Sequence, residues 1–234
     1  MKSLKSGPGV AVVTGLAALI AWSLAAAESE VRPLSGFSAV VVSGGIDLRL
    51  RQGDEYRVEA SHSGGSPAAI VTTVEDGTLV IRRSRTSGWF DWFSNYSVDL
   101  TLPELAALSA SGGSDVRIEG TIAGERLAIA ASGGADVTAA VDVADLEATT
   151  SGGADLRLSG SARTATIRTS GGSDVNARDL RVEQAEVQSS GGADIAIAVS
   201  ERLVAQASGG SDIVYTGNPA TEIAVSGGAD VTRR

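Results

Sequence analysis

Seven aspartates recur at nearly even spacing through the second half of this 234-residue chain: Asp115, Asp136, Asp155, Asp174, Asp194, Asp212 and Asp230. Each closes a pentapeptide Ser-Gly-Gly-(Ala/Ser)-Asp, and the motif serines are separated by 21, 19, 19, 20, 18 and 18 residues. Carboxylates are hard oxygen ligands, so such a row could bind cations, calcium among them. It could equally be a turn-stabilising ladder that accepts hydrogen bonds from the motif's own N–H and hydroxyl groups. Stacked at an interstrand spacing of ~4.8 Å, like charges repel by about 0.9 kcal/mol per pair in water, so something must offset them. Calcium-binding nonapeptides carry Gly-Gly-x-Gly-x-Asp. The motif here lacks the third glycine and occurs once per period, so that comparison fails in detail.

A second group is aromatic. Trp89, Phe90, Trp92 and Phe93 flank Asp91, with Tyr96 close by. Adjacent aromatics cannot all face one side of a strand. They read as a contact loop for a glycan, an envelope protein or a membrane surface, or as a lid on one end of the fold. Catalytic groupings are poorly represented. His62 is the only histidine, and its Ser/Gly-rich surroundings suggest an exposed turn. Ser-Gly-Gly is not a nucleophile elbow, and glycine doublets that repeat with the structure do not read as a phosphate loop. Arg117, Arg157 and Arg168 suggest no common register. The expectation is a protein that is not an enzyme and holds no cofactor, calcium aside. A glycan-active β-helix enzyme is the minor alternative.

The elements that must position these residues follow from the period. Counting from the motif serine, position −5 holds Leu127, Leu146, Ala165, Ala185, Leu203 and Thr221. Position −3 holds Ile129, Ala148, Ile167, Val187, Ala205 and Ile223, and position +5 holds Val116, Val137, Leu156, Val175, Ile195, Ile213 and Val231. Small and apolar residues at alternate positions mark strands with one buried face. On that parity the first motif glycine and the Ala/Ser face inward, while the serine, second glycine and aspartate face outward. A period of 18–21 residues suits one coil of a solenoid, and glycine doublets would break any amphipathic helix. The predicted fold is therefore all-β: a right-handed parallel β-helix with an irregular amino-terminal cap. Repeat coils occupy 111–234. The cap spans 28–110, where Asp47–Leu50 and Tyr56–Ala60 look like a hairpin joined near Gly53. An open last coil would favour homo-oligomers by stacking unless Arg233 and Arg234 block it.

Charge argues against some partners, and the amino terminus points to a compartment. The net charge is −9, or −11 without Lys2 and Lys5, which argues against nucleic acid. There is no cysteine. Residues 1–27 read as a signal peptide: two lysines, an apolar run from Val10 to Leu24, and Ala25-Ala26-Ala27 before Glu28. Export is expected, to the periplasm, the outer-membrane surface or the medium, with no transmembrane span after cleavage.

Several short pieces occur in a telling order. They are Phe37-Ser38-Ala39-Val40, Gly44-Gly45-Ile46-Asp47-Leu48, Gln52 to Val58, Gly77 to Ile81, and Leu102-Pro103 ahead of the repeats. Together they resemble the auto-transporter adhesin family, head GIN domain, over about residues 36–234. The resemblance implies one continuous exported β-solenoid domain with an adhesin-like role, and it supplies no catalytic residue to carry over. A purely structural, self-assembling solenoid is the alternative.

Overall fold

The computed structural model describes residues 28–63, 69–84 and 95–234. The signal-peptide reading of 1–27 lies outside them. Among the described residues the strands are β1 Glu28–Arg32, β2 Ala39–Ser43, β3 Asp47–Gln52, β4 Arg57–Ser63, β5 Ile70–Glu75, β6 Thr78–Arg83, β7 Asn95–Leu102 and β8 Ala107–Ser111. They continue with β9 Asp115–Ser132, β10 Asp136–Gly152, β11 Asp155–Gly171, β12 Asp174–Gly191, β13 Asp194–Gly209, β14 Asp212–Thr216, β15 Ala220–Gly227 and β16 Asp230–Arg233. These form a β-solenoid of about seven turns with an irregular amino-terminal region.

Each long strand from β9 to β13 runs parallel to the next, with motif on motif: Asp136 faces Asp115 and Asp155, and Asp194 faces Asp174 and Asp212. The alternation places Val116, Val137, Leu156, Val175, Ile195 and Ile213 in one buried column. Leu127, Leu146, Ala165, Ala185 and Leu203 form another. Burying a side chain of the size of Val, Leu or Ile stabilises by roughly 1.5–3 kcal/mol. That gain exists only when coils stack, because a single coil has nothing above or below its columns.

The motif turns the corner, and here the simple parity argument needs correction. Both motif glycines are exposed, whereas the following Ala or Ser is fully buried at Ser114, Ala135, Ala154, Ser173, Ala193 and Ser211. The first glycine adopts φ of +80° to +85° at Gly152, Gly171, Gly191 and Gly209, so the chain bends instead of continuing as a strand. A Cβ at Gly209 would lie 2.8 Å from the Gly191 carbonyl oxygen. The second glycine closes the stack: Gly210 N–H donates to Gly191 O at 2.7 Å, and Gly192 N–H to Gly171 O at 2.8 Å. Buried serines satisfy themselves locally. Ser173 Oγ donates to the Ser170 carbonyl at 2.8 Å, and Ser211 Oγ lies 3.0 Å from the Ser208 carbonyl.

The amino-terminal region departs from its expected arrangement. β3 and β4 are not a hairpin. β7 lies between them, parallel to β3 and antiparallel to β4. β2 lies between β6 and β8, parallel to both. Thus β2 and β3 already form a solenoid coil, the one carrying Ser43-Gly44-Gly45-Ile46-Asp47, and β6 with β7 forms a coil outside it. The chain lays the second coil in space first, moves outward, and then crosses to β8. Ala106 N–H donates to Ser38 O at 2.8 Å where it crosses. β1 pairs antiparallel with β4, and β5 with β6. Arg32 of β1 donates to Thr72 Oγ1 of β5 at 2.8 Å, tying the two sides together across this end.

The corner geometry separates the two glycines of one doublet. Gly209→Ala meets both a left-handed backbone and a carbonyl contact, and should cost about 2 kcal/mol or more. Gly210→Ala has a Cβ 3.7 Å from the nearest atom and no positive φ, so its cost should stay below about 1 kcal/mol. Urea unfolding of both variants measures the difference. Equal losses would overturn this account of the corner.

Candidate binding face

An aspartate between two buried positions has one direction left for its side chain. In each motif the preceding Ala/Ser and the following Val, Leu or Ile point inward, so the carboxylate points to solvent. Its backbone stays in the ladder: Asp155 N–H donates to Ala135 O at 3.1 Å, and Asp230 N–H to Ser211 O at 3.1 Å. The structure therefore brings Asp115, Asp136, Asp155, Asp174, Asp194, Asp212 and Asp230 into one continuous row. All are exposed except Asp155, which is half-buried.

Few internal contacts offset this row. The Asp155 carboxylate has Arg157 at 3.8 Å. Asp194 Oδ1 accepts from the backbone of Asp212 at 3.0 Å, and Asp230 accepts from Val231 N–H and Thr232 Oγ1. The row is single file. Among the described residues no group of three or more His, Cys, Asp or Glu side chains converges in a way that could hold a metal ion.

Two positions after each aspartate runs a second outward row, and it corrects the reading of the arginines. Arg49 pairs in register with Arg117, and Thr138 pairs with both Arg117 and Arg157. Arg117 and Arg157 thus share a register with Arg49, and only Arg168 lies elsewhere. Beyond Arg157 this row becomes Asn176, Ala196, Val214 and Thr232. The face is consequently divided. Arginines accompany the carboxylates near the amino-terminal end, while Asp194, Asp212 and Asp230 have no basic residue in the adjacent row. A shallow groove opens at this transition, lined by Asp155, Arg157, Asp174, Arg178, Asp194 and Asp212.

The row has an eighth member, the aspartate that closes Ser43-Gly44-Gly45-Ile46-Asp47, a divergent copy of the motif. Asp47 stands beside Asp115, and the two neighbouring carboxyls share one problem. Partial desolvation and the charge of Asp115 raise the Asp47 carboxyl above its usual range, with Arg49 opposing. Arg49 is engaged elsewhere, gripping Asp99 with two hydrogen bonds of 2.6 and 2.9 Å. That grip holds the Asp99 carboxyl below its usual range against its own desolvation.

The other candidates fall as follows. Trp89, Phe90, Trp92 and Phe93 lie outside the described residues. Tyr96 is in β7 and only 2% exposed, with the Arg83 guanidinium 4.7 Å above its ring. His62 is not in an exposed turn: it belongs to β4, pairs in register with Tyr96, and is 8% exposed. Sequence reasoning missed the ion pairs on the flank before the motif. There Arg168 spans two coils, 3.6 Å from Glu147 and 4.0 Å from Glu186. Their signal was available, since the glutamates share one position of the period and Arg168 stands two residues further on.

Asp47 and Asp99 make opposite pH predictions. A carboxyl with a raised folded pKa costs stability once ionised, and the cost disappears as pH falls through that folded value. Asp47→Asn should therefore raise the unfolding midpoint at pH 7, and the gain should vanish in acid. A lowered pKa works the other way, adding stability above the ordinary carboxylate range that is lost as pH falls through the folded value. Asp99→Asn should lower the midpoint at pH 7 and matter less in acid. Thermal melts between pH 7 and pH 3 test both signs, and a midpoint lowered at pH 7 by Asp47→Asn would refute the first.

Comparison with known proteins places this architecture. The model of the family described as putative auto-transporter adhesin, head GIN domain, matches residues 36–219. A crystal structure of a putative adhesin from Bacteroides fragilis superposes with a TM-score of 0.81 at 21% identity, covering 89% of this chain and 97% of that one. A putative lipid binding protein from Parabacteroides distasonis gives 0.70 at 18% identity, covering 89% and 96%. A putative adhesin from Parabacteroides merdae gives 0.67 at 18%, again covering 89% and 96%. At such identities these likenesses speak for the fold. No curated protein matches the chain.

Proposed function

We propose that this chain, which belongs to the putative auto-transporter adhesin family of the head GIN domain, is an exported, non-catalytic envelope or secreted protein that binds a partner through the aspartate face of its solenoid. The observation that carries the reading is the row of register-matched carboxylates whose carboxy-terminal half has no arginine in the adjacent row. Such a face suits a partner with repeated positive charge or repeated hydrogen-bond donors, such as a basic patch of an envelope protein or an amino-sugar glycan. Family membership supports the adhesin-like role. The distribution of the carboxylates supports binding over catalysis. A glycosidase sets two carboxyls in different surroundings, one withdrawn from water to stay protonated. Here Asp115, Asp136, Asp174, Asp194, Asp212 and Asp230 are all exposed and repeat from coil to coil. The apolar run and small-residue site before Glu28 support export.

Two experiments test this reading. Expression of the full chain in an exporting bacterial host should release a product whose amino-terminal residue is Glu28 by mass spectrometry; a product retaining residues 1–27 would count against export. The combined variant Asp174→Asn, Asp194→Asn and Asp212→Asn should lose at least about tenfold in affinity for isolated cell envelopes, since each lost charge contact weakens a multivalent attachment. Its unfolding midpoint should stay level or rise as repulsion is removed. Wild-type binding by that variant would move the site off this face. Melts of the wild type in calcium and in chelator at equal ionic strength should coincide. A rise specific to calcium would instead make the ladder a cation site.

A further inference from the structure

Away from the aspartate face the solenoid carries a second groove, on the strand segments that lead into the motif. Its volume is about 450 Å³, a size typical of ligand sites. It crosses the coils of β10 to β13, a length of about 14 Å at the interstrand spacing. Register stacking builds it. One wall is the row Thr149, Arg168, Gln188 and Gln206, each paired with the next. The other wall is the row of motif serines, Ser170, Ser190 and Ser208. Between the walls run Thr150, Thr169, Ser189 and Ala207, none more than 3% exposed.

The polar groups of this groove fall into two sets. Those of the floor are engaged inside the protein. Ser189 Oγ donates to the Ala193 carbonyl at 2.6 Å, and Ser173 Oγ lies 3.2 Å from Thr150 Oγ1. Those of the walls keep hydrogen-bonding capacity. Gln188 Nε2 donates to Glu186 Oε1 at 3.0 Å, which leaves its second N–H and its carbonyl oxygen. The Gln206 amide and the hydroxyls of Ser170, Ser190 and Ser208 make no hydrogen bond among the described residues. Serine opens every copy of the motif, from Ser43 to Ser226. The corner explains the glycines, and no internal contact uses the hydroxyl of this serine.

We infer that this groove binds a neutral linear glycan laid along the solenoid axis. Hydroxyls and primary amides both donate and accept, as sugar hydroxyls do, so the two walls match such a chain without any fixed charge. The one charged wall residue, Arg168, is already held between Glu147 and Glu186. An added peptide strand is disfavoured, because the ladders between coils consume the backbone groups of these strands and leave only side chains to bind. An acyl chain is disfavoured by walls of hydroxyls and amides that it would strip of water. The wall groups recur with every coil, so a polymer of repeating units meets the same chemistry at each step. This inference is independent of what the aspartate face binds.

Calorimetry with the full exported chain tests it, using the neutral oligosaccharides cellohexaose, xylohexaose, mannohexaose and chitohexaose. At least one should bind with Kd below about 1 mM. Its affinity should be the same at low and high salt, because no charge pair forms. Gln206→Ala and Ser190→Ala should each weaken binding about fivefold, the worth of one hydrogen bond. Neither side chain has an internal partner, so both variants should keep the wild-type far-ultraviolet spectrum. Glu201→Gln, outside the groove, should bind as the wild type does. Failure of all four oligosaccharides to bind, binding that high salt abolishes, wild-type affinity in both groove variants, or an equal loss in Glu201→Gln would each overturn the inference.

Discussion

The close stacking of glycine on glycine at the motif corner is the contact on which the rest of this molecule depends. From Gly152 onward the first glycine of each doublet has a left-handed backbone and leaves space where a Cβ would come within 2.8–3.1 Å of the coil below. At Gly172, Gly192, Gly210 and Gly228 the second glycine donates its N–H to the first glycine of that coil. Together they set the coil spacing at the corner and bring each aspartate over its predecessor. The residue beside the doublet is buried under the turn, as Ser or Ala in the later coils and as Ile46 in the coil of β2 and β3.

Regular stacking stabilises the core and burdens the surface. Every column of Val, Leu, Ile and Ala gains a neighbour above and below, so apolar burial accumulates along the axis. Every column of charge gains like neighbours by the same geometry. The amino-terminal half relieves this with Arg49, Arg117 and Arg157 beside the carboxylates, while Arg168 between Glu147 and Glu186 relieves the opposite flank. Asp194, Asp212 and Asp230 have no arginine in the adjacent row, although Arg178 lines the groove with Asp194 and Asp212. Like charge on a repeating frame is a feature that folding alone would not favour, and the binding role proposed for this face rests on it.

The two ends show how a solenoid handles its edges. The amino-terminal end adds antiparallel strands β1, β4 and β5 around a coil that the chain visits out of spatial order. Laying β2 and β3 first and then placing β6 and β7 outside them puts the cap's connections at the end of the stack instead of between coils. At the carboxy-terminal end of the described residues, β15 pairs with β13 along one edge and carries the exposed Ile223 and Val225, while Asp230 and Arg233 lie on β16 over β14.

Much of this was legible in the sequence alone. The 18–21-residue interval defined the coil, the alternation around it assigned inward and outward columns, and the motif placed Asp115 through Asp230 in one register. These features are local or strictly periodic, so each repeat states them again. The neighbours of strands without a repeat were not legible. Asp47–Leu50 and Tyr56–Ala60 alternate as a hairpin would, yet β7 separates them, because alternation says which face is buried and not which strand lies alongside. The same limit hid the burial of His62, whereas the stacking of Asp47 on Asp115 and the shared row of Arg49, Arg117 and Arg157 follow the motif offset and were open to be read from it. The pairings of β7 with β3 and β4 join residues about 35 to 50 positions apart without any repeat, and only the three-dimensional path of the chain, closing one coil over another, could decide them.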